Sequence, residues 1–268
     1  MVPISAREYI RRMPGGSQSH LLRASDNKLY VVKFVGNPQG TRILCNDLLA
    51  SLLARDLGLS VPKPTVIRVA DEFVRDHPQL TFQLPGATVP CPAGLQFGST
   101  YICDSEYARI FDVFPASQLS RLQNKGEAWG AALFDTWVAN ADVRQAVYYR
   151  TGSQYRMAFI DQGGCFGGSR WTLPKSFISS GLKPATSATC SRSTLQWLSR
   201  IENLSPDVIW SRAALVPQEW YAGSERNFLM LVDELIQRRH WVRLALTRYL
   251  PLDQIGNRDL PRVAMNAH

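Results

Sequence analysis

The first patterned region of the chain is Leu29-Tyr-Val-Val-Lys-Phe-Val35, β-branched and aromatic enough to be a strand. Ser19-His-Leu-Leu-Arg23 precedes it across the turn-forming Ser25-Asp-Asn-Lys28, so the two segments are expected to pair as a hairpin. Met13-Pro-Gly-Gly16 lies just upstream, and Gly36-Asn-Pro-Gln-Gly40 breaks the chain after the second strand. From Thr41 to Leu57 the spacing changes: Ile43, Leu44, Leu48, Leu49, Leu52 and Leu53 recur at near-helical intervals. Gly58 then supplies a residue that tolerates the left-handed turn ending a helix.

Val61 to Val69, with Pro62 and Pro64 near its start, reads as a third strand at a sheet edge. Asp71 to Gly98 is Pro-rich and reads as irregular, followed by a short strand at Ser99–Cys103. The pattern turns helical from Asn124 through Val138. Val147–Arg150 and Arg156–Ile160 flank Thr151-Gly-Ser-Gln154 as a second hairpin. The remainder, including Leu195–Ile201 and Arg226–Tyr249, is mostly helical. This order predicts an α+β architecture: a small β-rich lobe over residues 1–105 and a larger, mainly helical lobe over 106–268.

With 268 residues, 45% of them hydrophobic, the chain can bury a substantial core. Its formal charge of +8 favours anionic partners, yet the basic residues are scattered, which argues against a nucleic-acid-binding stripe. The five cysteines (Cys45, Cys91, Cys103, Cys165 and Cys190) include no CxxC pair, so reduced thiols in a cytoplasmic protein are expected rather than a disulfide framework or zinc site. No window approaches the ~18 apolar residues of a membrane span, and the N-terminus lacks the apolar core of a signal peptide.

Four features then fall in the order that phosphoryl transfer from a nucleotide needs. Gly15-Gly-Ser-Gln18 lets backbone N–H groups approach phosphate oxygens, although Pro-Gly-Gly is also a common turn. Lys33 stands on the strand after that turn and before a helix carrying Asp47; such a lysine is more often a solvated edge residue, but here it can bridge phosphates and the helix carboxylate. Asp142 lies in Phe134-Asp-Thr-Trp-Val-Ala-Asn-Ala-Asp-Val-Arg-Gln-Ala-Val-Tyr-Tyr-Arg150, just beyond a helix rich in apolar residues. As a base for a hydroxyl proton it needs positioning, which Asn140 or Arg144 can supply; the plainer reading is a turn with Arg144 as its surface partner. Asp161, about twenty residues later and ahead of a glycine-rich stretch, suits a Mg²⁺ ligand.

At these residues the chain resembles the HipA-like kinase family. The resemblance rests on Asp135-Thr-Trp-Val-Ala-Asn-Ala-Asp-Val-Arg-Gln145, with Met13–Leu21, Tyr30–Phe34, Gly36–Gly40, Asn46-Asp47 and Ile160–Gly163 matching in the same order. It implies a bilobal protein-kinase-like fold and an ATP- and Mg²⁺-dependent serine/threonine kinase acting on a protein substrate. Lys33 would be the phosphate-binding lysine, Asp47 its helix partner, Asp142 the catalytic base and Asp161 the metal-binding aspartate, with Gly15, Gly16, Ser17 and Gln18 in the nucleotide-binding loop. Ser17 occupies a region where kinases of this type can carry an autophosphorylated serine. The N-terminal subdomain and DNA-binding partner of the family's eponymous member are not expected here.

Two positions depart from that pattern. Val147 stands where a metal-binding Asn is usual, so Gln145 is assigned as the substitute ligand. Asp47 replaces a longer Glu. Val147 keeps a second reading open, a nucleotide-binding pseudokinase serving as an interaction module, and the long 71–98 segment leaves room for a small-molecule acceptor.

Overall fold

The computed structural model describes residues 1–40, 42–102, 110–174 and 192–247. Five strands close into a barrel in the order β1 (Ile4–Arg12), β2 (His20–Ala24), β3 (Leu29–Lys33), β7 (Gly94–Thr100) and β4 (Pro64–Val69). Closure comes from the parallel pairing of Ile4 with Ile67 and Ser5 with Arg68. The expected first hairpin is present, with Leu21 opposite Val31. β3 is an interior strand, since Lys33 also pairs with Phe97 of β7.

Two expectations are corrected here. The third strand is not at an edge, because β4 pairs with both β1 and β7. The 71–98 region is not irregular: it contains α2 (Asp71–Asp76), the hairpin of β5 (Thr81–Leu84) and β6 (Ala87–Pro90), and most of β7, which ends at Thr100. Gly98 shows why β7 looks unlike a strand: a Cβ there would lie 2.6 Å from Ile67 Cγ1, so close strand packing demands a residue of low strand propensity. β1 was not anticipated at all. Cys103, the proposed end of the short strand, lies outside the described residues, as do Thr41, Cys190 and Tyr249.

α1 (Arg42–Asp56) buries eleven of its fifteen residues, on every face, as a helix enclosed on all sides must. It ends in paired backbone bonds from Gly58 N–H to Arg55 O and from Leu59 N–H to Ala54 O, with Gly58 at φ +90°. Its leucines share one core with Phe134 and Trp137 of α3 (Glu127–Val138) and with α4 (Arg192–Glu202), α5 (Pro206–Ala213) and α6 (Glu225–Arg238). A separate cluster, including Leu22, Val32, Phe34, Ile67 and Phe82, fills the barrel.

β9 (Gln145–Thr151) and β10 (Gln154–Ile160) form the second expected hairpin, with Gln145 opposite Ile160, and β8 (Ile110–Phe111) joins β9. The helix expected over 226–249 is divided by a 3₁₀ turn at Arg239–Trp241 before α7 (Val242–Thr247). No helix among the described residues is long and apolar enough to cross a membrane.

Candidate active site

Lys33 closes β3 with its ammonium buried between two carboxylates. Nζ donates to Asp47 Oδ2 at 2.7 Å and to Asp161 Oδ1 at 2.8 Å. A solvated edge lysine is thereby ruled out: the residue is 6% exposed. Burial draws its pKa down, but the carboxylates outweigh that and hold it above the ordinary value. Burial pushes Asp47 up to about 6 against the pull of Lys33, while Asp47 Oδ1 accepts the Gln162 N–H at 2.9 Å. For Asp161, burial also raises the pKa, yet the adjacent ammonium prevails and the group sits below the usual carboxylate range.

Asp161 follows β10 in the left-handed region, φ +56°, a strained position for a non-glycine residue. The segment after it is held by Asn46, the neighbour of Asp47 on α1. Asn46 Nδ2 donates to Gly163 O at 2.8 Å and Cys165 O at 2.9 Å, and its Oδ1 accepts the Trp171 indole N–H at 2.6 Å. One turn of α1 therefore serves both the lysine and the loop. Sequence reading matched Asn46 to a motif without giving it this task; the further signal was a polar Asn46-Asp47 pair within an apolar run of the helix.

The loop carrying Asp142 is built outward from the C-terminus of α3. Arg238 of α6 donates to Thr136 O at 3.1 Å and Trp137 O at 2.9 Å, satisfying carbonyls that the helix end leaves unpaired. Ala139 turns left-handed at φ +50°. Asp135 and Arg144 form a buried ion pair, with Arg144 Nε 3.1 Å and 3.2 Å from the two carboxylate oxygens. Asn140 Nδ2 donates to Asp135 Oδ1 at 3.0 Å, and Asn140 Oδ1 accepts the Asp142 N–H at 3.1 Å. Arg144 is thus no surface partner of Asp142. It also reaches Ile160 O at 3.4 Å and Gln162 Oε1, tying the Asp142 loop to the Asp161 segment. Asp142 itself is exposed, and Ala141 N–H donates to Gly164 O at 2.8 Å across the two loops.

These residues border one cavity of about 680 Å³. Gly15, Gly16 and Ser17 line it from the loop between β1 and β2, and Lys33, Asp47, Asp142, Gln145 and Asp161 line it from the other elements. Gln18 is the exception. Its amide turns away, donating to Gln83 O at 2.7 Å and accepting the Gln83 N–H at 2.6 Å, with Arg12 on the same oxygen, so it anchors the loop to β5 instead of lining the cavity. Gln39, which the sequence placed in a chain break and in a matching segment but gave no role, does line it.

The donor chemistry suits a hard divalent cation. Asp161 commits Oδ1 to Lys33, and its Oδ2 accepts the Gln145 Nε2–H at 3.4 Å, so Oε1 is the atom that amide would offer a metal. Among the described residues no group of three His, Cys, Asp or Glu side chains could hold a metal alone. A carboxylate and an amide completed by phosphate oxygens and water is the composition Mg²⁺ accepts. Val147, apolar and 7% exposed, offers nothing to it from the cavity wall.

The barrel, the buried lysine between two aspartates and the helix-borne loop define a protein of the kinase class, and comparison with solved structures agrees at the level of fold. The proinflammatory kinase CtkA of Helicobacter pylori superposes with a TM-score of 0.52 at 14% identity, over 89% of this chain and 99% of that one. HipA of Shewanella oneidensis MR-1, solved with HipB and operator DNA, gives 0.51 at 11% identity over 87% of this chain and 66% of its own. Fam20 from hydra, solved with a sugar, gives 0.50 at 10% identity over 92% and 85%. No curated protein matched the sequence. The HipA-like kinase family model matches residues 6–152, more than half of the chain, and the protein belongs to that family. Kinase-type phosphotransfer is the activity that family and fold support.

Proposed function

We propose that the protein is an ATP- and Mg²⁺-dependent kinase that transfers the γ-phosphoryl group to a serine or threonine hydroxyl of a protein, with a β-rich lobe (1–105) and a helical lobe (106–268) meeting at the cavity. The observation that carries this reading is the Lys33 ammonium clamped by Asp47 and Asp161 in the cavity that Gly15, Gly16 and Asp142 also line. A buried ammonium of fixed position supplies positive charge to phosphate oxygens without reorganising during the reaction. Gly15 to Ser17 would bring backbone N–H groups to the same phosphates. Asp142, held by its backbone through Asn140, would orient the acceptor hydroxyl and take its proton. Mg²⁺, when bound, would neutralise phosphate charge, and Asp161 with Gln145 would hold it. Gln18 has an anchoring role rather than contact with the nucleotide.

Val147 favours a second reading, a nucleotide-binding module that does not turn ATP over. ADP release with Mg²⁺-ATP separates the two. The wild type should turn ATP over, and Asp142→Asn should lower the rate at least ~100-fold while binding ATP within about threefold of wild type. Equal rates would overturn the role of Asp142; wild-type binding without turnover would establish the module. Transfer to a small molecule but to no protein would remove the protein acceptor.

A further inference from the structure

Gln39 borders the same cavity, yet no role has been given to it. Its backbone is fixed from below. Asn37, buried at 3% exposure, donates its amide to Phe34 O at 3.1 Å and accepts the Gln39 N–H at 2.9 Å, and Gly40 N–H returns to Asn37 O at 2.9 Å. The Gln39 side chain crosses to the glycine loop, where its Nε2 lies 3.5 Å from the place a Gly16 Cβ would occupy. Gly40, next in the chain, packs toward Ser169, and Arg42 donates to Ser169 O at 3.3 Å. This loop therefore stands on the segment that follows Asp161, whose Gly164 lies against the Asp142 loop. The Gln39 amide therefore faces the glycine loop across the cavity from a hydrogen-bonded turn that rests on the segment following Asp161.

We propose that Gln39 binds the terminal phosphate of the nucleotide, donating from Nε2 to a γ-phosphate oxygen and closing the cavity opposite Gly16. This rests on the nucleotide-binding reading of the cavity. A neutral amide donates to phosphate oxygens without competing for the Lys33 ammonium, and an unpaired carboxylate in its place would repel them. The alternative is a spacer that keeps the glycine loop at its height and touches no ligand.

The two roles differ in which ligands feel the change. Calorimetric titration with AMP, ADP and β,γ-imido-ATP, each with Mg²⁺, should be run on the wild type, Gln39→Leu and Gln39→Glu. Gln39→Leu is expected to weaken the triphosphate about tenfold, the scale of one hydrogen bond to a charged group, while ADP and AMP stay within about twofold. Gln39→Glu should weaken the triphosphate more than Gln39→Leu does. Equal weakening of all three ligands, or no change in any, overturns the γ-phosphate contact and leaves the nucleotide reading intact. Wild-type protein that binds none of the three overturns both.

Discussion

His20 shows what a single side chain contributes apart from chemistry. Its ring is fully buried in the barrel, edge-on to Phe34 at 5.6 Å between centroids and 5.8 Å from Tyr9. Nε2 lies 3.7 Å from Cys91 Sγ, and Nδ1 has no hydrogen-bond partner among the described residues. Burial, reinforced by the Arg12 charge, lowers its pKa from 6.5 to about 4. Between those values the unfolded chain binds the proton and the folded one does not, so the stability His20 contributes is full above 6.5 and is lost as pH falls through about 4. Between pH 7 and pH 5 the change in urea-unfolding stability should be about 1–2 kcal/mol less favourable for the wild type than for His20→Leu, because protonation of Asp47, raised to about 6, stabilises both proteins alike over that range. The same change in both proteins would assign the acid sensitivity elsewhere. Residue identity alone gave no sign of this burial, because a histidine beside Ser19 at the start of a strand reads as an ordinary polar position. Lys33, Asp47, Asp142 and Asp161 were legible as candidates because a lysine inside an apolar strand, an acid on the helix that follows it and two aspartates beside turns each stand out from their surroundings. The Asp135–Arg144 pair was not, since its burial depends on how α3 and β10 come together.

At the scale of elements, the site depends on two loops in contact. Gly164 sits at ordinary negative φ, so an alanine there carries no backbone strain and its effect is purely steric. Its Cβ would lie 2.6 Å from Asp142 Cβ, 2.7 Å from Asn140 Oδ1 and 3.1 Å from the Asp142 backbone nitrogen. Gly164→Ala should therefore separate the Asp142 loop from the Asp161 segment, cutting turnover at least ~10-fold for a stability loss of about 1–3 kcal/mol. Steady-state rates beside a thermal melt check this; undiminished turnover would show that the spacing of the loops does not matter to the reaction. The hairpins and α1 were legible because their patterns are local and strongly apolar. β1 was hidden by the charged Arg7, Glu8, Arg11 and Arg12 within it, and by its parallel pairing with a strand more than fifty residues away. β7 was hidden by Gly94 and Gly98, the latter a requirement of packing that appears in sequence as a strand breaker.

In the whole molecule, the fold converts a linear order of weak motifs into one cavity. Lys33 and Asp161 stand 128 residues apart and meet at 2.8 Å because an enclosed helix, α1, presents Asp47 to one and Asn46 to the loop of the other. Sequence order carried the sense of this arrangement, but not the barrel closure or the helical contacts, since those are non-local. The central proposal is that this cavity holds Mg²⁺-nucleotide with its terminal phosphate toward Asp142. A crystal structure with Mg²⁺ and β,γ-imido-ATP tests it most directly. The triphosphate is expected between Gly15–Ser17 and Lys33, with the metal about 2.1 Å from an Asp161 oxygen. Nucleotide bound outside this cavity, or metal bound away from Asp161, would contradict it.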